Sequence, residues 1–281
     1  MERIELNPRL LEKYSYAVID PVQVDSASWK HLPVHSLAPP AYAHIGSQLP
    51  HVLSLRGLDP SEREELLADV IDRTAADQAP LFCLLIESSQ TPGSVIRHLS
   101  RMMIVHSPDD RKPYQLRYHD AYTLMQLAWI LDGDQQKTLL GPSASWLFPL
   151  EQGWCLRSQE IASAMPALRL RTEQWQQLQR VGRVNVALAR QNVAADQRTE
   201  TGMRLSPWLA TAHSVGLTDE EDAIAFAKQG LTQHPEFYRH PRIVRTLSEC
   251  EGQPKRYVRL TALLTDLDWQ QIAADMSLLS T

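Results

Sequence analysis

VIRHLSRMMIVHSPDDRKPYQLRYHDAYTLMQLAWIL, residues 95–131, changes its hydrophobic period twice. Val95, Ile96, Leu99, Met102 and Met103 recur at helical spacing after a start marked by Thr91-Pro92. The chain then reads as a hairpin whose turn, Ser107-Pro108-Asp109-Asp110, is made of residues that preset or tolerate turn geometry. In the returning strand Tyr114, Leu116 and Tyr118 alternate with Gln115, Arg117 and His119. That alternation predicts Tyr118 on a buried face and Arg117 and His119 together on a polar one. A second helix begins near Asp120, with Leu124, Leu127, Ala128 and Leu131 along one side. Helix, hairpin and helix in one uninterrupted stretch predict an α/β (α+β) lobe.

The flanking sequence extends the same pattern. YAVID at 16–20, ended by Pro21, and HVLSL at 51–55 read as short strands. Asp59, Pro60 and Glu62 mark a helix start, followed by an apolar stripe of Leu66, Leu67, Val70 and Ile71. PLFCLLIES at 80–88 is a continuous apolar run, which suits a strand covered on both faces. A break at Asp132-Gly133 precedes a short helix ending at Gly141-Pro142, and SWLFP and GWCLRS form a last hairpin. Residues 1–158 are therefore expected to make one lobe around a small mixed sheet. Beyond about residue 160 Ala, Gln, Arg and Leu recur at helical spacing, so residues 159–281 are expected to be all-α. Thr218 with Glu221 reads as a capping box, DQRTETG at 196–202 as a loop, HPEFYRHP as a linker ended by Pro241, and LDWQQIAADMSLL as the final helix.

Composition removes several functional classes. The 281 residues carry 28 Lys+Arg against 33 Asp+Glu, a net charge of -5, so no basic face for nucleic acid is expected. Cys83, Cys155 and Cys250 are odd in number and far apart, which suggests neither a disulfide framework nor a metal knuckle and fits a reducing cytoplasm. The first twenty residues carry acidic side chains where a secretion signal has a basic region and an apolar run. LFCLLI at 81–86 falls far short of the ~20 residues that span a bilayer, so a soluble cytoplasmic protein without membrane insertion is expected. No GxSxG elbow, GxxxxGK[ST] loop or GxGxxG fingerprint occurs, and 11 glycines leave little for a phosphate cradle. No cofactor is expected.

Candidate chemistry concentrates in LRYHDAY, residues 116–122. Arg117, His119 and Asp120 could form an acid–base or anion-binding site of a small hydrolase or transferase. Alternatively, Asp120 caps the following helix, Arg117 pairs with a nearby carboxylate and Tyr118 packs inside. His234 and His240, six apart across HPEFYRH, could reach a metal from a loop or simply flank helix ends beside their prolines. Cys83 inside its apolar run reads as a packed thiol. Trp29 and Trp208, each near a proline in an irregular segment, are the candidates for a partner-binding platform, with Tyr238 in the linker beside them.

The ordered set of pieces resembles the effector adaptors, or effector chaperones, of type VI secretion, the Tec/Tap family first catalogued as a domain of unknown function. That family's pattern falls here on Asp20 ending the first strand, Glu87-Ser88 ending an apolar strand and His98-Leu99 on a helix. It continues with Pro108-Asp109 in a hairpin turn, Arg117-Tyr118-His119-Asp120, and Gly141-Pro142 closing a helix. Two positions depart from it: His119 stands for the usual second aromatic and Ala121 for the usual proline. The likeness covers roughly residues 14–150. It implies a non-enzymatic bacterial protein that holds a toxic effector in the cytoplasm and promotes its loading onto the VgrG spike protein. An immunity or regulatory protein that binds a toxin shares the same lack of catalytic motifs.

Overall fold

The computed structural model describes residues 2–151, 153–159 and 167–279. The chain divides into two compact units, Met1–Trp175 and Gln176–Thr281.

The strands of the first unit are Glu2–Ile4 (β1), Tyr16–Ile19 (β2), Val34–Ser36 (β3), His51–Ser54 (β4), Leu84–Glu87 (β5), Ile104–His106 (β6), Pro113–Gln115 (β7), Ser145–Leu150 (β8) and Gly153–Ser158 (β9). Seven of them make one sheet in the order β1-β9-β8-β5-β2-β4-β3, and β6 with β7 forms a separate hairpin. All the pairings are antiparallel, so the expected mixed sheet is corrected. Apolar runs record burial and carry no information on strand direction. Leu84, Leu85 and Ile86 are fully buried, which the apolar run predicted, because β5 lies at the centre of the sheet and is covered on both faces.

The helices of this unit are Pro8–Leu11 (α1), Pro60–Ala75 (α2), Pro92–Met102 (α3), Ala121–Ile130 (α4) and Gly133–Leu140 (α5), with a sixth, Thr172–Arg190 (α6), crossing into the second unit. Each start has a local cause. Asp59 accepts the Ser61 N–H ahead of Pro60, and Asp120 accepts the Thr123 N–H. Asp132 and Gln135 make a reciprocal capping box at α5. One sheet face, with Ala17, Ile19, Leu53, Leu85, Leu147 and Trp154, is buried with Leu11 of α1 and Leu67 and Val70 of α2. On the opposite face Trp146 meets the ring of Tyr118 at 5.5 Å between centroids.

The second unit is helical: Arg198–Ser214 (α7), Glu220–Thr232 (α8), Pro241–Glu249 (α9), Arg256–Thr261 (α10) and Asp266–Leu279 (α11) follow α6. Arg198 to Gly202 form the first turns of α7, so the loop expected at 196–202 is mostly helix. The cap of α8 is Asp219, whose carboxylate accepts the N–H groups of Glu221 and Asp222, one residue beyond the expected Thr218. Phe226, Phe237, Tyr257, Leu205, Leu209 and Ile243 are the centre of its core.

A candidate cleft at the end of the second strand

The hairpin strand expected to run through Tyr118 ends at Gln115. Leu116 donates one more backbone bond to Met103, and the chain then turns, with the Asp120 N–H on the Arg117 carbonyl at 3.0 Å. The turn breaks the two-residue alternation. Tyr118 and His119 are therefore both buried, at 0% and 3% exposure, while Tyr114 is 41% exposed. The expectation that His119 shares a solvated face with Arg117 is corrected, and so is the buried place expected for Tyr114. Tyr118 donates its hydroxyl to the Leu99 carbonyl at 3.0 Å, which satisfies the one polar atom that its burial would otherwise strand.

The turn delivers its side chains to Asp20, just past β2 and itself 2% exposed. Asp20 accepts the Val22 N–H and the Gln23 side-chain amide, both at 3.1 Å. Arg117 Nη2 and His119 Nε2 approach its Oδ2 at 3.8 and 3.7 Å. Burial, only partly opposed by the Asp20 charge, holds the His119 imidazolium down to about 4, so the ring is neutral at pH 7. At neutral pH His119 and Asp20 thus form no ion pair. The Nδ1 atom of His119 is buried and has no hydrogen-bond partner among the described residues. Asp120 spends Oδ1 on the Thr123 N–H at 2.7 Å as the cap of α4. Cys83 lies alongside, its thiol 3.3 Å from the Val18 carbonyl, and burial pushes its ionisation far upward. It is no thiolate nucleophile.

Asp20, Cys83, His119 and Asp120 line a cleft of about 240 Å³ together with Gln23, Val24, Tyr122, Pro149 and Glu151. His119 and Asp120 of the expected group share this cleft while Arg117 stays outside its lining, and their neighbours Asp20, Cys83 and Glu151 carry no signal in the sequence that joins them to it. Only the tertiary fold connects residues that lie from about thirty to a hundred positions apart.

The remaining signature residues build a second junction. Glu87 accepts the Ser145 hydroxyl at 2.6 Å and lies 3.5 Å from Lys13 Nζ. Ser88 donates to the Pro142 carbonyl at 2.7 Å, and buried His98 meets the Leu139 carbonyl through Nε2 at 2.9 Å. Burial lowers His98 to about 4, so the neutral ring donates this bond. Gly141, with φ +57°, ends α5 against that ring.

Of the candidate platform residues, Trp29 is corrected: it is 7% exposed, packed 4.9 Å from the His51 ring, and presents no surface. Trp208 and Tyr238 are half-buried at the edge of the second unit's aromatic core, against Phe226 and Phe237. His234 and His240 each accept a nearby backbone N–H through Nδ1, and His240 also reaches Asp275 at 3.1 Å. Among the described residues no group of three or more His, Cys, Asp or Glu is placed to hold a metal ion, and no helix is long and apolar enough to cross a membrane.

The model of a family described as Domain of unknown function (DUF4123) matches residues 15–138. The match takes in Asp20, Glu87, His98 and the Arg117–Asp120 turn, and ends before Gly141. No curated protein and no solved structure matches the chain.

Proposed function

We propose that this chain is a non-enzymatic adaptor of type VI secretion, which holds a particular effector in the bacterial cytoplasm and promotes its loading onto the VgrG spike. The observation that carries the reading is the family match over residues 15–138, which takes in the ordered signature read in the sequence except Gly141-Pro142. The use made of those residues supports it. Asp20, Glu87, Ser88, His98, Asp120 and Gly141 are engaged in turns, caps and junctions of the backbone. A hydrolase or transferase built on Arg117, His119 and Asp120 is disfavoured by the same geometry. Its base would be a neutral buried imidazole 3.7 Å from its carboxylate, and its acid is committed to a helix cap.

Co-expression with the effector encoded beside the gene tests the reading. The expected result is a stable complex, a higher soluble yield of the effector, and capture of VgrG by the complex. An effector that neither binds nor gains solubility, with no contact to a spike component, ends the proposal. Binding that instead silences the toxin's active site replaces it by an immunity function.

A further inference from the structure

The last helix, α11, is apolar on two opposite faces. Ile272 and Met276 are buried, and Trp269 packs against the core of the second unit. On the far side Leu267, Gln270, Gln271, Ala274 and Leu278 are all exposed. A helix that meets water ordinarily sets charge opposite its buried face. Here the carboxylates of Asp268 and Asp275 are turned to Arg242 and His240 at the start of α9, and Asp266 lies at the first residue of the helix. The outward stripe carries no charge. Leu263, Leu267, Leu278 and Leu279, between 74% and 77% exposed, are the four most exposed large apolar side chains among the described residues, and all lie in this one segment. Single surface leucines need no occupant, whereas a patch of this kind, on the order of 500 Å², marks an interaction site.

We propose that this stripe pairs with the same stripe of a second copy of the chain, the two α11 helices packing antiparallel about a two-fold axis. The spacing selects that occupant. Leu267, Gln271, Ala274 and Leu278 follow at intervals of four, three and four, the spacing of a helix-packing seam, and the series is the same read from either end. Reversed on itself, it places Leu267 against the partner's Leu278 and Gln271 against the partner's Ala274, a long side chain over a small one. Gln271 donates its amide to Asp275 of its own helix at 2.7 Å and so keeps a partner when the seam closes. Two chains of net charge -5 meet here without a like-charge contact. The antiparallel arrangement also sets each helix start beside the other's end, where the dipoles attract. The patch falls short of the ~800 Å² per partner of a standard interface, so the pairing is weak and depends on concentration. The inference is independent of the adaptor reading, since α11 lies outside the residues that the family matches.

Sedimentation equilibrium of the purified full-length chain from about 5 to 500 µM tests it. The expected result is a reversible monomer–dimer equilibrium with half the chains paired at about 100 µM, and no weakening between about 50 and 500 mM salt. Leu267→Glu and Leu278→Lys should each weaken pairing by about tenfold or more with an unchanged melting temperature, because both side chains are exposed. An equimolar mixture of the two variants should pair again, since the antiparallel seam sets residue 267 of one chain against residue 278 of the other. A chain that stays monomeric at about 500 µM, a dimer that survives either variant, or a mixture that fails to pair each overturns the proposal. A monomeric chain whose effector capture is lost in Leu267→Glu overturns it too, and assigns the stripe to the effector.

Discussion

The imidazole of His98 fills the space that a side chain on residue 141 would need. A Cβ on Gly141 would fall 2.2 Å from His98 Cε1, and the residue's φ of +57° is one that L side chains rarely adopt. The helix end, the His98 bond to Leu139 and the Ser88 bond to Pro142 all meet at this point. A short side chain here displaces a buried ring and strains the backbone together.

Gly141→Ala is therefore expected to cost about 2–4 kcal/mol, since both mechanisms act. Urea denaturation of the single variant, and of Gly141→Ala combined with His98→Ala, separates them. Measured against His98→Ala alone, the double variant lacks the clash and should lose only the positive-φ strain of about 1 kcal/mol. A single-variant loss below about 0.5 kcal/mol contradicts the close approach.

Two buried neutral histidines make stability depend on acid. His98 and His119 are both held down to about 4 by burial, against roughly 6.5 in an unfolded chain. Between these values the unfolded state binds protons that the folded state refuses. Their contribution is complete above about pH 6.5 and is lost as pH falls toward 4, by up to roughly 3 kcal/mol for His98, with His119 acting in the same direction. Denaturation midpoints across pH 4 to 7 should show this slope, and His98→Gln, which keeps a donor for Leu139, should remove about one proton from it.

His119→Phe restores an aromatic where the family pattern has one. The ring borders the cleft and its Nδ1 makes no hydrogen bond among the described residues, so the change should leave stability within about 1 kcal/mol and flatten part of the acid slope. Effector capture should survive. Loss of a measurable turnover in this variant would instead favour the enzyme reading.

Asp120→Ala removes the acceptor of the Thr123 N–H at the start of α4. A loss of about 1 kcal/mol is expected, while Asp120→Asn stays within a few tenths. Thermal melts of the two variants side by side read the cap directly.

Arg157 of β9 is 8% exposed, and its Nη1 and Nη2 atoms have no hydrogen-bond partner among the described residues. Burial lowers its guanidinium only to about 10, so the charge persists at pH 7. Arg157→Met should raise stability by about 1–3 kcal/mol, because it removes an uncompensated buried cation and keeps the stem's packing. A destabilised variant would mean that the charge has a counter-ion.

What the sequence determined by itself was local. Prolines at first helical positions, Asp59, Asp120 and Asp132 as caps, glycine after α5 and the apolar run of β5 each act within a few residues, and each element stands where its signal lies. The contrast between an α+β first part and a helical second part follows from the same signals. Tertiary structure decided the rest. All strands run antiparallel because pairing depends on which distant neighbour each run meets. Trp29 is buried because the sheet's core extends over an irregular segment that has no period to betray it. His119 moved inside because a turn between Arg117 and Asp120 outweighed the alternation of the strand before it. Asp20 and His119 became neighbours across ninety-nine positions, a proximity that burial of two sheet faces imposes and that no spacing along the chain encodes.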